Sequence, residues 1–324
     1  MLMTAVIQPE AFDRTHFTTP GYRDQAEMLL RGMESNGLLI LDPNCRLLKE
    51  INDRVDLLST KDGQQLQIRL AELQKNERRR VLAAERTKCT CPTSLSLLET
   101  ARTVHALSLT DTIIADAGSC AQLQSSGQPA KDVTPLGAYI SSDFERQRHY
   151  CLDQVPPIDK MAPGEFDDQM IRVTRFAKRL RFYDKQIGKG SSLGGFRTGI
   201  GRILSLWVAN AHYPRNTLSA EIYTCVQKTH DPTDMVHSKI LASLVRRLAS
   251  ENGLRITFYF KEDSPALTHD RFLQTDSVPV YFSKGFDYME EDGTLHRCAV
   301  KIDNGAYEHL QEYRNLKNFK PPAS

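Results

Sequence analysis

From Asn36 the chain reads NGLLILDPNC, four apolar residues between a turn signal and an aspartate. That pattern predicts a buried strand ending at Asp42. Residues 1–35, ahead of it, read as a polar arm closing in a short helix, RDQAEMLLRGM. Behind it, CRLLKEINDRV and DGQQLQIRLAELQKNERRRVLAAE predict helices. Leu66, Ile68, Leu70 and Leu73 gather roughly on one side of the second. TARTVHALSLTDTIIADAGSC reads as helix or strand around an apolar centre, with Asp111 and Asp116 close by.

Two stretches rich in turn formers follow, QLQSSGQPAKDVTPLG and LDQVPPIDKMAPGEFDD. The second carries three prolines and a glycine, so 151–169 reads as a linker between domains. The pattern then changes. RLRFYD predicts a strand ending on Asp184, and FRTGIGRILSLWVANAHY a helix with Trp207 on its core face. LSAEIYTCVQ predicts a strand. DPTDMVHSKILASLVRRLASENG predicts a helix capped by Thr233 or Asp234 and stopped at Asn252-Gly253. LRITFYFK, LTHDRFLQT, VPVYFSKGF and HRCAVKID predict further strands. The order β-α-β-α-β-β-β-β argues a mixed sheet flanked by helices. The whole reads as α/β in two domains, 36–150 and 170–315.

Composition changes this picture little. Of 324 residues, 40% are hydrophobic and 25% charged, ordinary for a soluble globular chain. A net charge of +2 announces no nucleic-acid partner by itself. The basic runs RFAKRLRFYDKQIGKG and LVRRLAS suit either solvated helix faces or attraction of a phosphodiester. Seven cysteines are an odd number, and the C-x-C of Cys89 and Cys91 has no second pair at zinc spacing. A reducing, cytoplasmic setting without structural zinc is expected. No signal peptide and no apolar run of membrane-spanning length is present in the sequence.

The candidate chemistry centres on THDRFLQTD, where His269, Arg271 and Asp276 stand as H-x-R-x4-D. Metal-free phosphodiester cleavage needs a nucleophile, a cation for the phosphate oxygens and a proton donor. On a strand, positions i and i+2 share a face, so His269 and Arg271 are expected to point into one site. The bland alternative is a surface strand salt-bridged through Asp270 or Asp276. His237 and Lys239 also form H-x-K, but on a predicted helix, where i and i+2 point apart.

The triplet is similar to the H-x-K-x4-D signature of the phospholipase D superfamily, with arginine in place of lysine. Over roughly 170–310, HDRFLQTD and VYFSKGFDY resemble the phospholipase D-like C-terminal domain found in proteins with a microtubule-interacting and trafficking module. There an H-D-R motif begins a strand, matched by His269, Asp270 and Arg271. A glycine and an aspartate close the next, matched by Gly285 and Asp287, and an earlier strand ends in an aspartate, matched by Asp184. The resemblance implies His269 as nucleophile, Arg271 on the phosphate, Asp276 or Asp287 orienting the histidine, and no cofactor at this site. Bacterial members occur in anti-phage conflict systems, so it implies a nuclease or phosphodiesterase in antiviral defence, among other defence-system proteins. Eukaryotic members resemble phosphoinositide binders, so the alternative is a non-catalytic module for a phosphorylated ligand, nucleic acid or partner protein. One motif per chain implies a homodimer that pairs two copies, or a binding site only. The glycine-rich GKGSSLGGFRTGIGR lacks Walker order and reads as a flexible loop. Lys185, Lys189, Arg197 and Lys239 are expected to line a phosphate-binding mouth.

In the N-terminal half, Asp42, Asp111 and Asp116, with Glu72 and Asp143 nearby in sequence, form a candidate Mg²⁺ set. LILDPNCRLLKEI resembles the first strand and helix of PIN-like ribonucleases, and TDTIIADAG their later acidic segment. The alternative is that Asp42-Pro43-Asn44 caps the next helix.

Overall fold

The computed structural model describes residues 2–75, 80–85, 89–153, 155–187, 193–226, 232–264 and 270–319. The chain divides into two compact units, Met1–Gln154 and Val155–Ser324, and both are α/β. The segment 151–169 is not a free linker. Ile158 is buried, its amide donates to the Cys298 carbonyl at 2.9 Å, and α7 (Glu165–Thr174) begins within it.

The first unit holds a five-stranded sheet in the order β3-β2-β1-β4-β5, parallel at every pairing. Its strands are β1 (Met3–Ile7), β2 (Gly37–Leu41), β3 (Val81–Ala83), β4 (Thr112–Ala115) and β5 (Val133–Pro135). MTAVI, GLLIL and TIIA, apolar but for Thr4 and Thr112, are buried throughout, as strands covered on both faces must be. The polar arm expected at 1–35 is therefore corrected. Its start is the central strand, paired Ala5 to Leu39 on one side and Ile7 to Ile114 on the other. Its end is α1 (Tyr22–Asn36), which buries Ala26, Leu29, Leu30 and Met33.

Helices α2 (Arg46–Asp56), α3 (Thr60–Gln74), α4 (Leu97–Ser108), α5 (Ala117–Ser125) and α6 (Asp143–Asp153) complete the unit. A buried ion pair ties α6 to α1. Arg148 donates Nε and Nη2 to Glu145, each at 2.7 Å, and Nη1 to Asn36 Oδ1 at 2.9 Å. Asn36 Nδ2 answers by donating to the Arg148 carbonyl at 3.0 Å.

The second unit holds a six-stranded sheet in the order β11-β10-β9-β6-β7-β8. Strands β6 (Arg179–Tyr183), β7 (Ser219–Val226) and β8 (Arg255–Glu262) run parallel, linked through α8 (Leu193–Asn210) and α9 (Pro232–Asn252). Strands β9 (Phe272–Gln274), β10 (Pro279–Phe282) and β11 (Val300–Ile302) extend the sheet antiparallel. The glycine-rich stretch is helical from Leu193 onward, so the expected flexible loop is corrected there; 188–192 lie outside the described residues. Its glycines serve packing. A Cβ on Gly199 would run into the Phe286 carbonyl, and Tyr288 donates its hydroxyl to the Gly199 carbonyl at 3.0 Å. Trp207 is fully buried and donates Nε1 to the Ala177 carbonyl at 3.0 Å.

On the other face of this sheet, α10 (Tyr307–Asn315) packs Leu310 and Tyr313 against Tyr183, Tyr223 and Phe272. The chain then pairs with the outer edge of β8, Glu262 donating to Lys317 and Phe319 to Phe260, both at 2.8 Å. Among the described residues, no helix is long and apolar enough to cross a membrane.

Candidate functional site

Antiparallel pairing of Tyr183 with Phe272 brings the end of β6 beside the start of β9. Two residues from the proposed signature meet there. Asp184, next after β6, is 1% exposed. Its Oδ1 accepts the Gln186 amide at 2.8 Å and stands 3.7 Å from Arg271 Nε. Its Oδ2 is buried and, among the described residues, accepts no well-formed hydrogen bond. Arg271 further donates Nη1 to the Ser283 carbonyl at 3.2 Å and Nη2 to Gln186 Oε1 at 3.3 Å.

Gly285, at φ +107°, lies against this carboxyl, and a Cβ there would stand 2.6 Å from Asp184 Oδ2. Asp287, two residues on, also buries an oxygen, Oδ1, without a partner among the described residues. Burial raises the Asp184 pKa to about 6; the Gln186 amide, Arg271 and the Phe286 amide favour the charged form, while Asp287 opposes it. Asp184, Arg271, Gly285 and Asp287 thus converge.

The other expected residues fall differently. His269 and Lys189 lie outside the described residues. Arg271 precedes β9 rather than lying in it, so the shared-face argument for His269 and Arg271 does not apply. Asp276 sits past the opposite end of β9, accepting the Lys178 amide at 2.6 Å and the Arg179 amide at 3.2 Å. The expectation that Asp276 orients a group beside Arg271 is corrected by that placement. Lys185 stays at the carboxyl edge, donating to the Ser264 carbonyl at 2.9 Å, with Asp263 Oδ1 at 3.1 Å. Arg197 is engaged by Glu251 at 3.2 Å and Glu291 at 3.6 Å. Lys239 is exposed on α9, and His237 shares that helix.

The N-terminal acids do not form the expected set. Asp42 accepts the Leu47 amide on Oδ1 at 2.9 Å and the Asn44 amide on Oδ2 at 3.1 Å, which is helix capping. Asp116 caps α5 through the Ser119 amide at 3.0 Å. Burial pushes its pKa up, but hydrogen bonds from Ser119 and the Gly118 amide prevail and lower it. Asp111 lies at the other, amino end of β4, bonded to the Thr4 amide at 2.7 Å and hydroxyl at 2.9 Å. The three carboxylates cannot share an ion with a strand between them. Among the described residues, no group of three His, Cys, Asp or Glu side chains is arranged to hold a metal.

Glu10 and Asp13, just after β1, went unseen in the sequence because β1 itself did. Arg54 joins them, at 3.7 Å from Glu10 and 2.7 Å from Asp13. Burial raises the Glu10 pKa despite an amide and Arg54, with Asp13 and Asp116 adding to the rise. Glu72 and Asp143 pair locally with Lys75 and Arg146.

Neither a scan against protein-family models nor a search of the curated proteins finds a match to this chain.

Proposed function

We propose that the C-terminal unit is a phosphodiesterase of the nuclease type, acting at the carboxyl edge of β6, β7 and β8. The observation that supports it is the Asp184–Arg271 pair. A carboxyl buried this deeply, with one oxygen lacking a well-formed hydrogen bond among the described residues, is costly, and such cost is characteristic of functional sites. Open α/β sheets take ligands at the carboxyl ends of their strands. Asp184, the Ser283 carbonyl and Gln186 fix the guanidinium of Arg271, whose fork suits phosphate oxygens. Asp184 is a positioning residue in this reading, since it has almost no surface to offer a substrate.

His269, two residues before Arg271 in sequence, supplies the nucleophile. Its imidazole nitrogen attacks phosphorus, the bond to the leaving oxygen breaks, and that oxygen takes a proton from a second histidine. Water then hydrolyses the phosphohistidine. The second histidine comes from another copy of the chain across a two-fold axis. The substrate is a nucleic-acid strand, and the antiviral-defence setting implied by the resemblance belongs to the same proposal.

The test is hydrolysis of bis(p-nitrophenyl) phosphate and labelled oligonucleotides with and without EDTA. Chelator-resistant cleavage that falls by roughly two orders of magnitude or more in His269→Ala and Arg271→Ala is the expected result. Chelator-sensitive cleavage lost in Glu10→Gln or Asp116→Asn overturns it and moves the chemistry to the first unit. Binding of phosphate esters through Arg271 without cleavage establishes the non-catalytic module instead.

A further inference from the structure

The sheet of the second unit carries another surface, away from the Asp184 carboxyl. Strand register places Arg179, Arg181 and Tyr183 of β6 beside Ser219, Glu221 and Tyr223 of β7, and these beside Arg255, Thr257 and Tyr259 of β8. All nine project to one face, because they alternate with Leu180, Phe182, Ala220 and Ile222, which are buried on the other. Helix α10 covers the inner part of this face, its Tyr313 ring 5.5 Å from Tyr183. The segment after α10 lies along the Phe260–Glu262 edge of β8, and the cover ends toward Arg255. Arg255 and Thr257 are exposed, Tyr259 is partly exposed, and the Arg179 side chain keeps 46% of its surface.

The chemistry there has two parts. Tyr183, Tyr223 and Tyr259 form a continuous stack across three strands, centroids 4.8 and 4.7 Å apart and rings within 11° and 16° of parallel. The stack runs from the core to the partly exposed Tyr259. Beside it stand three guanidiniums against two carboxylates. Glu221 accepts Arg181 Nε at 2.9 Å and the Tyr223 hydroxyl at 2.9 Å, and lies 3.6 Å from Arg179 Nε, while Asp276 accepts the Arg179 amide at 3.2 Å. Two carboxylates do not neutralise Arg179, Arg181 and Arg255 together. The patch is therefore net positive, with an aromatic ring at its margin.

We infer that this face binds single-stranded nucleic acid, phosphates tracking Arg179, Arg181 and Arg255 while an unpaired base continues the stack on Tyr259. Stacking on a side-chain ring needs a base free of its duplex, and any base has a π-face, so the preference is for single strands over sequence. Binding here does not depend on catalysis beside Arg271, and failure of either leaves the other standing.

Fluorescence anisotropy tests it in EDTA, using a fluorescein-labelled oligouridylate of about 12 nucleotides, within the site sizes of single-strand binders, with the probe shown intact on a denaturing gel after each reading because the cleavage proposed above resists chelation. Wild type should bind it more tightly than a duplex of the same length. Arg179→Gln with Arg255→Gln should weaken binding and flatten the slope of log K against log salt by about 1.4, twice the single-strand value per phosphate contact. Tyr259→Ala should lose roughly 5- to 100-fold in affinity, with Tyr259→Phe retaining it. Unchanged circular dichroism in each variant separates lost binding from lost fold. Equal affinity for duplex, unchanged binding in these variants, or no binding by wild type would each overturn the inference. Displacement by poly-glutamate as effective as by unlabelled oligouridylate would do the same, assigning the face to an acidic peptide.

Discussion

Arg271 sets its Nε 3.7 Å from Oδ1 of Asp184, a carboxyl that is all but sealed from solvent. The guanidinium tempers the cost of that burial without cancelling it, so Asp184 ionises near 6 in the folded protein against an ordinary 3.8. Below the ordinary value, folded and unfolded chains both hold the proton. Between the two values the folded chain alone holds it, and above about 6 neither does. The group's contribution to stability is therefore complete at low pH and lost as pH rises through 6, on the order of 3 kcal/mol. Asp184→Asn should remove that loss, so its urea midpoint should gain on wild type between pH 4 and pH 7. A constant difference across that range would contradict the assignment.

Gly285 offers a separate check on the same corner. Gly285→Ala combines a left-handed backbone with a Cβ set against Asp184 Oδ2. Gly127 has a similar φ of +92° with nothing within 4 Å. Gly127→Ala should cost about 1 kcal/mol from the backbone alone, and Gly285→Ala about 2–4 kcal/mol. Thermal denaturation of the two variants side by side measures the difference.

The Glu145–Arg148 pair is a case where removing half is worse than removing all. Both side chains are about 95% buried, at 4% and 5% exposure. Arg148→Met should cost about 3–5 kcal/mol by leaving the buried carboxylate to the exposed His149, 3.1 Å away, and Glu145→Leu added to it should restore most of that. Denaturant titration of the two variants against wild type reads it directly.

At Asp116 the expected cost of the alanine variant is that of a lost helix cap, about 1 kcal/mol. The folded pKa of Asp116 is depressed, so its stabilisation is present above 3.8 and disappears as pH falls below that. The gap between the alanine variant and wild type should narrow as pH falls below 3.8. Asp42→Ala should likewise cost about 1 kcal/mol, with its thermal midpoint no more sensitive to Mg²⁺ than that of wild type.

The sequence made the interior strands and long helices readable where one element carried its own signal. The apolar run before Asp42 is β2, and α9 ends at Asn252 with Gly253 left-handed at φ +56°. Asp184 was visible as the residue closing β6. Two of the failures share a cause, which is that spacing along the chain was taken for proximity in space. Asp111 and Asp116 are close in sequence, but the four residues of β4 hold them at opposite ends of the sheet. Asp276 is separated from Arg271 by the three residues of β9 and the turn after it. MTAVI is too short to show a period, and its central place is decided by β2 and β4, not by itself. Glu10 and Asp13 were lost with it.

The central position of β1 also dictates an order of events during synthesis. Thr4 and Asp111, joined by a hydrogen bond, are separated by 107 residues. At ordinary elongation rates the ribosome takes roughly 5 to 20 s to cover that distance. From the completion of β2 at Leu41 until β4 is made, β1 can pair with β2 but not with β4, and one side of the strand destined to be most enclosed stays open. Nascent chains paused between β2 and β4 are the species a chaperone would meet, and slow codons in that interval would lengthen their exposure.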